Sequence, residues 1–339
     1  MSTKYLILLI ISILNFIFIN ISIKKFLPIF EEKYIDIPNK RSIHKEPKPT
    51  GGGIFIVINT LFLYFLINIL LKANILIENT FLESIITIIS ISCLIGLLGF
   101  LDDLYNIKSK FKFGFQVFLS ILFIEYLNIN MFNKTISLVN LNKDISILIT
   151  YTAIIIVISG IINMINFMDG IDGLICGSFA LVFLVLSLKI NVFLLPLSMG
   201  LFSFLLFNWY PSIIFMGDAG STFIGAIFAG LVISSETLKE SLSIILLISP
   251  LLLDSSICLL RRLLDGQNIF TPHKLHLYQR LVDNKIPHDK VSTIYICSCL
   301  LISLFYLTDS FLLEIFSAIL ILIIGFYFEK NYAISFTKR

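Results

Sequence analysis

The chain is predicted to be an all-α, polytopic integral membrane protein, a bundle of about ten or eleven transmembrane helices forming a single domain over residues 1–339. Three observations carry this prediction. Of the 339 residues, 57% are hydrophobic and only 14% charged, and the mean hydropathy is +0.96. The apolar residues fall in long runs rather than in a two-residue alternation, as helices crossing ~30 Å of hydrocarbon require. No polar stretch exceeds roughly thirty residues, too little to bury a core of its own.

Taken in order, the runs lie near 5–23, 54–71, 84–101, 113–128, 145–162, 174–189, 192–208, 222–235, 241–260, 291–308 and 311–328. The first follows Lys4 as a secretory signal would. It is longer than a signal core and no small-residue cleavage pattern follows, so it is read as a retained span. The run at 222–235 is short and rich in small residues, which suits a tilted span, one packed inside the bundle or a half-inserted one, and leaves the count at ten or eleven. All Lys and Arg except Lys4, Lys72, Lys134, Lys143, Lys189 and Lys239 fall on one side of this alternation. That bias places the N-terminus outside and the basic loops in the cytoplasm.

No internal repeat and no paired, Gly/Pro-interrupted spans of the transporter type are visible. The five cysteines, Cys93, Cys176, Cys258, Cys297 and Cys299, sit in or beside apolar runs and read as small buried hydrophobes. The Cys297–Cys299 spacing fits neither a zinc knuckle nor a redox motif.

The chemistry lies in the loops of the basic side. The first, Asp36 to Gly53, ends Pro-Lys-Pro-Thr-Gly-Gly-Gly, where prolines stiffen the approach and glycines let a backbone come close to a ligand or another helix. Its cations also suit topology or anionic head groups. The third span ends Gly-Phe-Leu-Asp-Asp-Leu, and Asp102 and Asp103 at a helix C-terminus oppose the macrodipole, which points to a metal or phosphate role. The stretch from Asn163 to Leu174 reads Asn-Met-Ile-Asn-Phe-Met-Asp-Gly-Ile-Asp-Gly-Leu. If it is helical, Asn163 and Asn166, and likewise Asp169 and Asp172, share a face; the alternating acids of a calcium-binding EF-hand loop are absent.

After the seventh span, Asp218 stands between Gly217 and Gly220, with Ser221 and Thr222 suited to cap the next helix. The missing Lys excludes a Walker loop. Asp254 lies about two turns inside the ninth span, a costly position that suits either a substrate contact or a structural ion pair with Arg261 or Arg262. The last loop, Thr-Pro-His-Lys-Leu-His-Leu-Tyr-Gln-Arg-Leu, brings His273, Lys274, His276 and Arg280 together. Its two histidines are spaced for zinc, but no third soft ligand lies near them in sequence.

Five carboxylates, Asp102, Asp103, Asp169, Asp172 and Asp218, thus share one face with basic and His-bearing loops. Hard oxygen ligands beside cations suit a magnesium-bound pyrophosphate, the acids holding the metal and the cations meeting phosphate oxygens. A soluble phosphorylated donor then enters from the cytoplasm and a lipid serves as acceptor. Nucleic acid is not an expected partner.

The blocks P-K-P-T-G-G-G, G-F-L-D-D-L, N-M-I-N-F-M-D-G-I-D-G-L, F-M-G-D-A-G-S and H-K-L-H-L-Y-Q-R-L, in this order and separated by spans, resemble the polyprenyl-phosphate N-acetylhexosamine-1-phosphate transferases over about residues 36–281. This family includes the initiating enzymes of O-antigen and teichoic acid and, more distantly, phospho-N-acetylmuramoyl-pentapeptide transferase. The resemblance implies transfer of a sugar 1-phosphate from a UDP-amino sugar to polyprenyl phosphate in the bilayer, with release of UMP and dependence on Mg2+ or Mn2+. A homodimer is a further expectation.

By position, Asp218 matches the metal ligand, Asp102 and Asp103 the pair beside the reacting phosphates, and Asn163, Asn166, Asp169 and Asp172 the nucleotide-facing stretch. His276 matches the leading histidine of the last loop and takes a catalytic role beside Asp102 and Asp103. Lys48, His273 and Arg280 join the substrate-binding set. The chain departs from the family where His276 is followed by Leu277, Tyr278 and Gln279 instead of further histidines, a form closer to the branch that starts O-antigen-type chains. Thr50 stands where a basic residue is frequent. The peptidoglycan enzyme is the runner-up; a transporter and a non-catalytic binding homologue are the alternatives from other classes.

Overall fold

The computed structural model describes residues 3–38, 43, 46–72, 80–127, 143–268, 271 and 273–336. Lys40, Arg41, His44 and Lys45 of the first basic loop, together with Lys134 and Pro272, lie outside the described residues. Thirteen α-helices occur among the described residues. They are α1 (Thr3–Lys33), α2 (Gly53–Lys72), α3 (Thr80–Tyr105), α4 (Ser109–Tyr126), α5 (Lys143–Met168), α6 (Leu174–Lys189) and α7 (Leu195–Asn208), the last preceded by one 3-10 turn. There follow α8 (Gly217–Ile233), α9 (Leu238–Leu247), α10 (Ser249–Leu264), α11 (Leu277–Asp283), α12 (His288–Leu307) and α13 (Phe311–Tyr332). The two short strands β1 (Ile35–Asp36) and β2 (Lys48–Pro49) pair antiparallel, Ile35 opposite Pro49 and Asp36 opposite Lys48.

The all-α membrane architecture is as expected. Six helices, α1, α2, α3, α5, α12 and α13, are long and apolar enough to span. Three shorter apolar helices, α6, α7 and α8, join them. Two predicted boundaries are corrected. The run at 241–260 is not one straight helix: α9 and α10 meet at an angle of 83°. Pro250 at the start of α10 has no N–H to continue the α9 ladder and is well suited to begin a new helix. The first helix continues ten residues past the predicted 23, because Ile19, Ile23 and Phe30 keep one stripe buried while Lys24 and Lys25 point outward.

The centre of the bundle is α8, in which every residue from Ala219 to Ile233 is buried. With 17 residues it reaches only ~26 Å, and it is covered by protein, α3 and α5 packing along it. Small residues permit that approach. Where α2 begins, a Cβ on Gly53 would stand 2.2 Å from the Gly220 backbone nitrogen. The Pro-Lys-Pro-Thr-Gly-Gly-Gly segment therefore lies against the start of α8, with the Gly52 and Gly53 N–H groups donating to Phe215 O at 2.9 Å and Met216 O at 2.8 Å. Its glycines meet another helix.

Candidate active site

Asp103 resolves the dipole conflict read from the sequence. It ends α3, yet that end abuts the beginning of α8, where its Oδ1 accepts the Asp218 N–H at 2.9 Å and its Oδ2 the Ala219 N–H at 3.1 Å. A carboxylate at a helix N-terminus is favoured by the exposed amides and the dipole together. Gly217 makes room for it: its φ is +70°, and a Cβ there would fall 2.5 Å from Asp103 Oδ2. Ser221 and Thr222, expected to cap this helix, lie inside it and bond back to Gly217 O at 3.1 Å and Asp218 O at 2.6 Å. The cap comes from 115 residues away, beyond any local signal.

Asp102 accepts the Ile107 N–H at 2.7 Å through Oδ1 and the Lys112 ammonium at 2.5 Å through Oδ2. The same ammonium lies 3.2 Å from Asp218 Oδ2. Lys112 was not singled out from the sequence; among the described residues it is the cation that ties Asp102 to Asp218, and its only sequence signal was a place in the short basic loop after Asp103. Burial works against its charge, but the Asp218 and Asp102 carboxylates outweigh this and hold it above the ordinary lysine range.

The Asn163–Leu174 stretch divides where α5 stops at Met168. Asn163 turns toward α4, donating to Gln116 Oε1 at 3.0 Å and Ser159 O at 2.8 Å. Asn166 faces α8 instead, its Oδ1 accepting from Ser221 Oγ at 2.6 Å. Asp169 and Asp172 lie beyond the helix and part company. Burial, then the charges of Asp218 and Asp172, pushes the Asp169 carboxyl up to about 8. Asp172 accepts from Ser212 Oγ at 2.9 Å and Ser212 N at 3.1 Å, with Lys48 Nζ 3.8 Å and His288 Nδ1 3.6 Å away. Burial opposes its charge, yet His288, Ser212 and Lys48 hold it below the usual carboxylate range.

Asp102, Asp103, Asn166, Asp169, Asp172 and Asp218 line one cleft of about 590 Å³, together with Thr50, Asn106, Gln279 and His288. His288 was missed although it is one of only four histidines; it begins α12, and its ring lies 5.1 Å from that of Tyr210. Lys48 stands behind the Asp172 wall, donating to Ser212 Oγ at 3.1 Å. His273, His276 and Arg280 lie away from the cleft lining. His276 is buried against Phe167 and Tyr278, and Arg280 bonds Glu329 at 2.5 Å and Ile334 O at 3.0 Å.

Asp254 does not pair with the arginines of its own helix. It caps α11, accepting the N–H groups of Leu277 at 2.7 Å and Tyr278 at 3.1 Å and the Tyr295 hydroxyl at 2.7 Å. Arg261 bonds Glu329 and Arg262 bonds Thr271.

The cleft suits a divalent cation. Its donors are hard carboxylate and amide oxygens, two of the acids already share an ammonium, and the repulsion that raises Asp169 is what added positive charge relieves.

The fold and site together define a helical membrane bundle with a carboxylate-lined cleft at the start of its central helix. The model of glycosyl transferase family 4 matches residues 85–236, from α3 through α8. The chain is 28% identical over 272 residues to a probable undecaprenyl-phosphate N-acetylglucosaminyl 1-phosphate transferase of Bacillus subtilis, covering 75% of this chain and 71% of that one. It is 33% identical over 244 residues to phospho-N-acetylmuramoyl-pentapeptide-transferase of Prochlorococcus marinus, covering 61% and 65%. With the enzyme of that name from Staphylococcus saprophyticus the identity is 29% over 262 residues, covering 70% and 78%. Residues 85–236 thus match the family that the ordered motifs resemble.

Proposed function

We propose that this protein transfers an N-acetylhexosamine or N-acetylated deoxyhexosamine 1-phosphate from a UDP-sugar to polyprenyl phosphate, releasing UMP and starting a lipid-linked surface glycan such as O-antigen. The observation that carries the reading is the convergence of Asp102, Asp103, Asp169 and Asp218 on one cleft at the end of the central helix. Phosphoryl transfer is largely positioning and charge stabilisation, which suits such a site.

Asp218, with Asp102 beside it, would hold Mg2+ or Mn2+. When bound, that ion neutralises pyrophosphate oxygens and polarises the phosphorus under attack. Asp103 fixes the first turn of α8 and so the direction of Asp218. Asn166, Asp169 and Asp172 face the donor, with His288 in the same lining and the Tyr210 ring beside it. The acceptor phosphate has a second pKa near ~6 and is largely ionised at neutral pH, so no strong base is needed. The cleft opens to the cytoplasm in this reading.

The test is UMP release by the purified protein with polyprenyl phosphate and a panel of UDP-amino sugars. Asp218→Asn loses at least ~10²-fold in rate, the scale of one electrostatic stabiliser; robust turnover in that variant removes the metal assignment. Release with UDP-N-acetylmuramoyl-pentapeptide alone moves the chain to the peptidoglycan branch, which the similarity to the two enzymes of that branch supports.

A further inference from the structure

The sequence offers His273 and His276 as a pair spaced for a soft metal and no third ligand near them. The fold supplies the third. Cys258, on α10, places its Sγ 4.0 Å from His273 Nδ1, and the two imidazole rings lie 4.9 Å apart between centroids. One ligand atom from each of the three residues falls within 4.8 Å of the other two. Cys258 and His276 are 3% and 2% exposed. His276 Nδ1 is buried with no hydrogen-bond partner, a costly state for an imidazole that has no second role.

We propose that Cys258, His273 and His276 form a binding site for a zinc-class divalent ion, separate from the carboxylate cleft. Thiolate and imidazole select zinc-like ions over magnesium, which prefers oxygen. Tetrahedral coordination at ~2.0–2.3 Å sets neighbouring ligand atoms about 3.3–3.6 Å apart, so side-chain rotations of roughly 1 Å close the site. Binding takes the Cys258 proton, which leaves to solvent. The nearby cations Arg262 and Arg280 are engaged with Thr271 and Glu329; the thiolate, with Asp254 Oδ1 3.8 Å from His276 Nδ1, offsets their charge. His273 is only half-buried, leaving its side open for a water as fourth ligand.

The ion would pin the loop before α11 to the broken helix α10. From α11, Tyr278 reaches under the cleft to donate to Phe167 O at 3.0 Å, and Gln279 lines it. The site is thus a staple for one wall of the cleft.

The test strips the full-length protein in detergent with chelator and titrates it with Co2+ in the presence of excess Mg2+. One equivalent gives a thiolate-to-cobalt charge-transfer band in the wild type. The band disappears in Cys258→Ser, falls severalfold in His273→Gln and persists in Cys297→Ser, which alters an exposed thiol on α12. If Cys258→Ser aggregates, His273→Gln at its half-buried loop position decides alone. Absence of the band in folded wild-type protein, or its persistence at full strength in Cys258→Ser or His273→Gln, overturns the proposal. UMP release on the same wild-type sample separates failure of this site from failure of the transferase reading.

Discussion

Lys112 holds together two acids that the sequence places 116 positions apart, counted from Asp102 to Asp218. An ammonium between Asp102 and Asp218 competes with a divalent ion for the same oxygens. Replacing it with methionine removes that competitor while leaving the aliphatic stem, and a part-buried ion pair of ~1 kcal/mol corresponds to about fivefold in affinity. Lys112→Met is expected to lower the Mg2+ concentration for half-maximal UMP release by roughly that factor, and an Mg2+ titration of the rate checks it. An unchanged midpoint means that the ammonium and the ion do not share ligands. The histidines give a pH dependence of known sign. His276, lowered to about 3, binds a proton in the unfolded chain below about 6.5 but not in the folded one. Stability therefore falls as pH drops from about 6.5 toward 3, by a few kcal/mol at the acid end for this buried ring. Melting curves in EDTA between pH 7 and 4 show the fall, and His276→Asn flattens it.

At the level of elements, the packing of α2 and α3 on α8 depends on positions with no side chain. Gly53→Ala forces a methyl into the Gly220 backbone and is expected to cost ~1–3 kcal/mol as an overpacked contact. Gly160, in the middle of α5, has nothing within 4 Å of an added Cβ, so Gly160→Ala is neutral or slightly stabilising. Denaturation midpoints of the two variants in one detergent read the difference directly, and equal effects would show that the α2–α8 contact is not as tight as described. The same elements mark where sequence reading stops. The apolar runs were legible because a span needs composition more than register. The break at Ile248 was not, although Ser249 and Pro250 were in plain view, since a proline in an apolar run is also compatible with a kinked continuous helix. Asp103 as the cap of α8 and Cys258 as neighbour of His273 were illegible because each depends on two elements meeting in space.

Across the whole molecule, the site residues gather at one end of α8. Asp218 stands at its N-terminal turn and Ile233 at its other end, so the loop after α3 and the loop after α8 lie on opposite sides of the bundle. The basic residues are concentrated on the side of Asp218, and in the proposed reading the positive-inside bias turns that side to the cytoplasm. This orientation gives the proposed reaction access to a nucleotide-sugar pool. Lys108, at the start of α4, and Glu236, between α8 and α9, are both exposed and serve as reporters. In a background lacking only Cys297, since the other four cysteines are buried, Glu236→Cys is expected to react with a membrane-impermeant maleimide on intact cells and Lys108→Cys is not. Inside-out vesicles reverse the pattern. Labelling of Lys108→Cys from outside would turn the cleft away from the cytoplasm, and the UDP-sugar reading would then fail on access alone, whatever the carboxylates can bind.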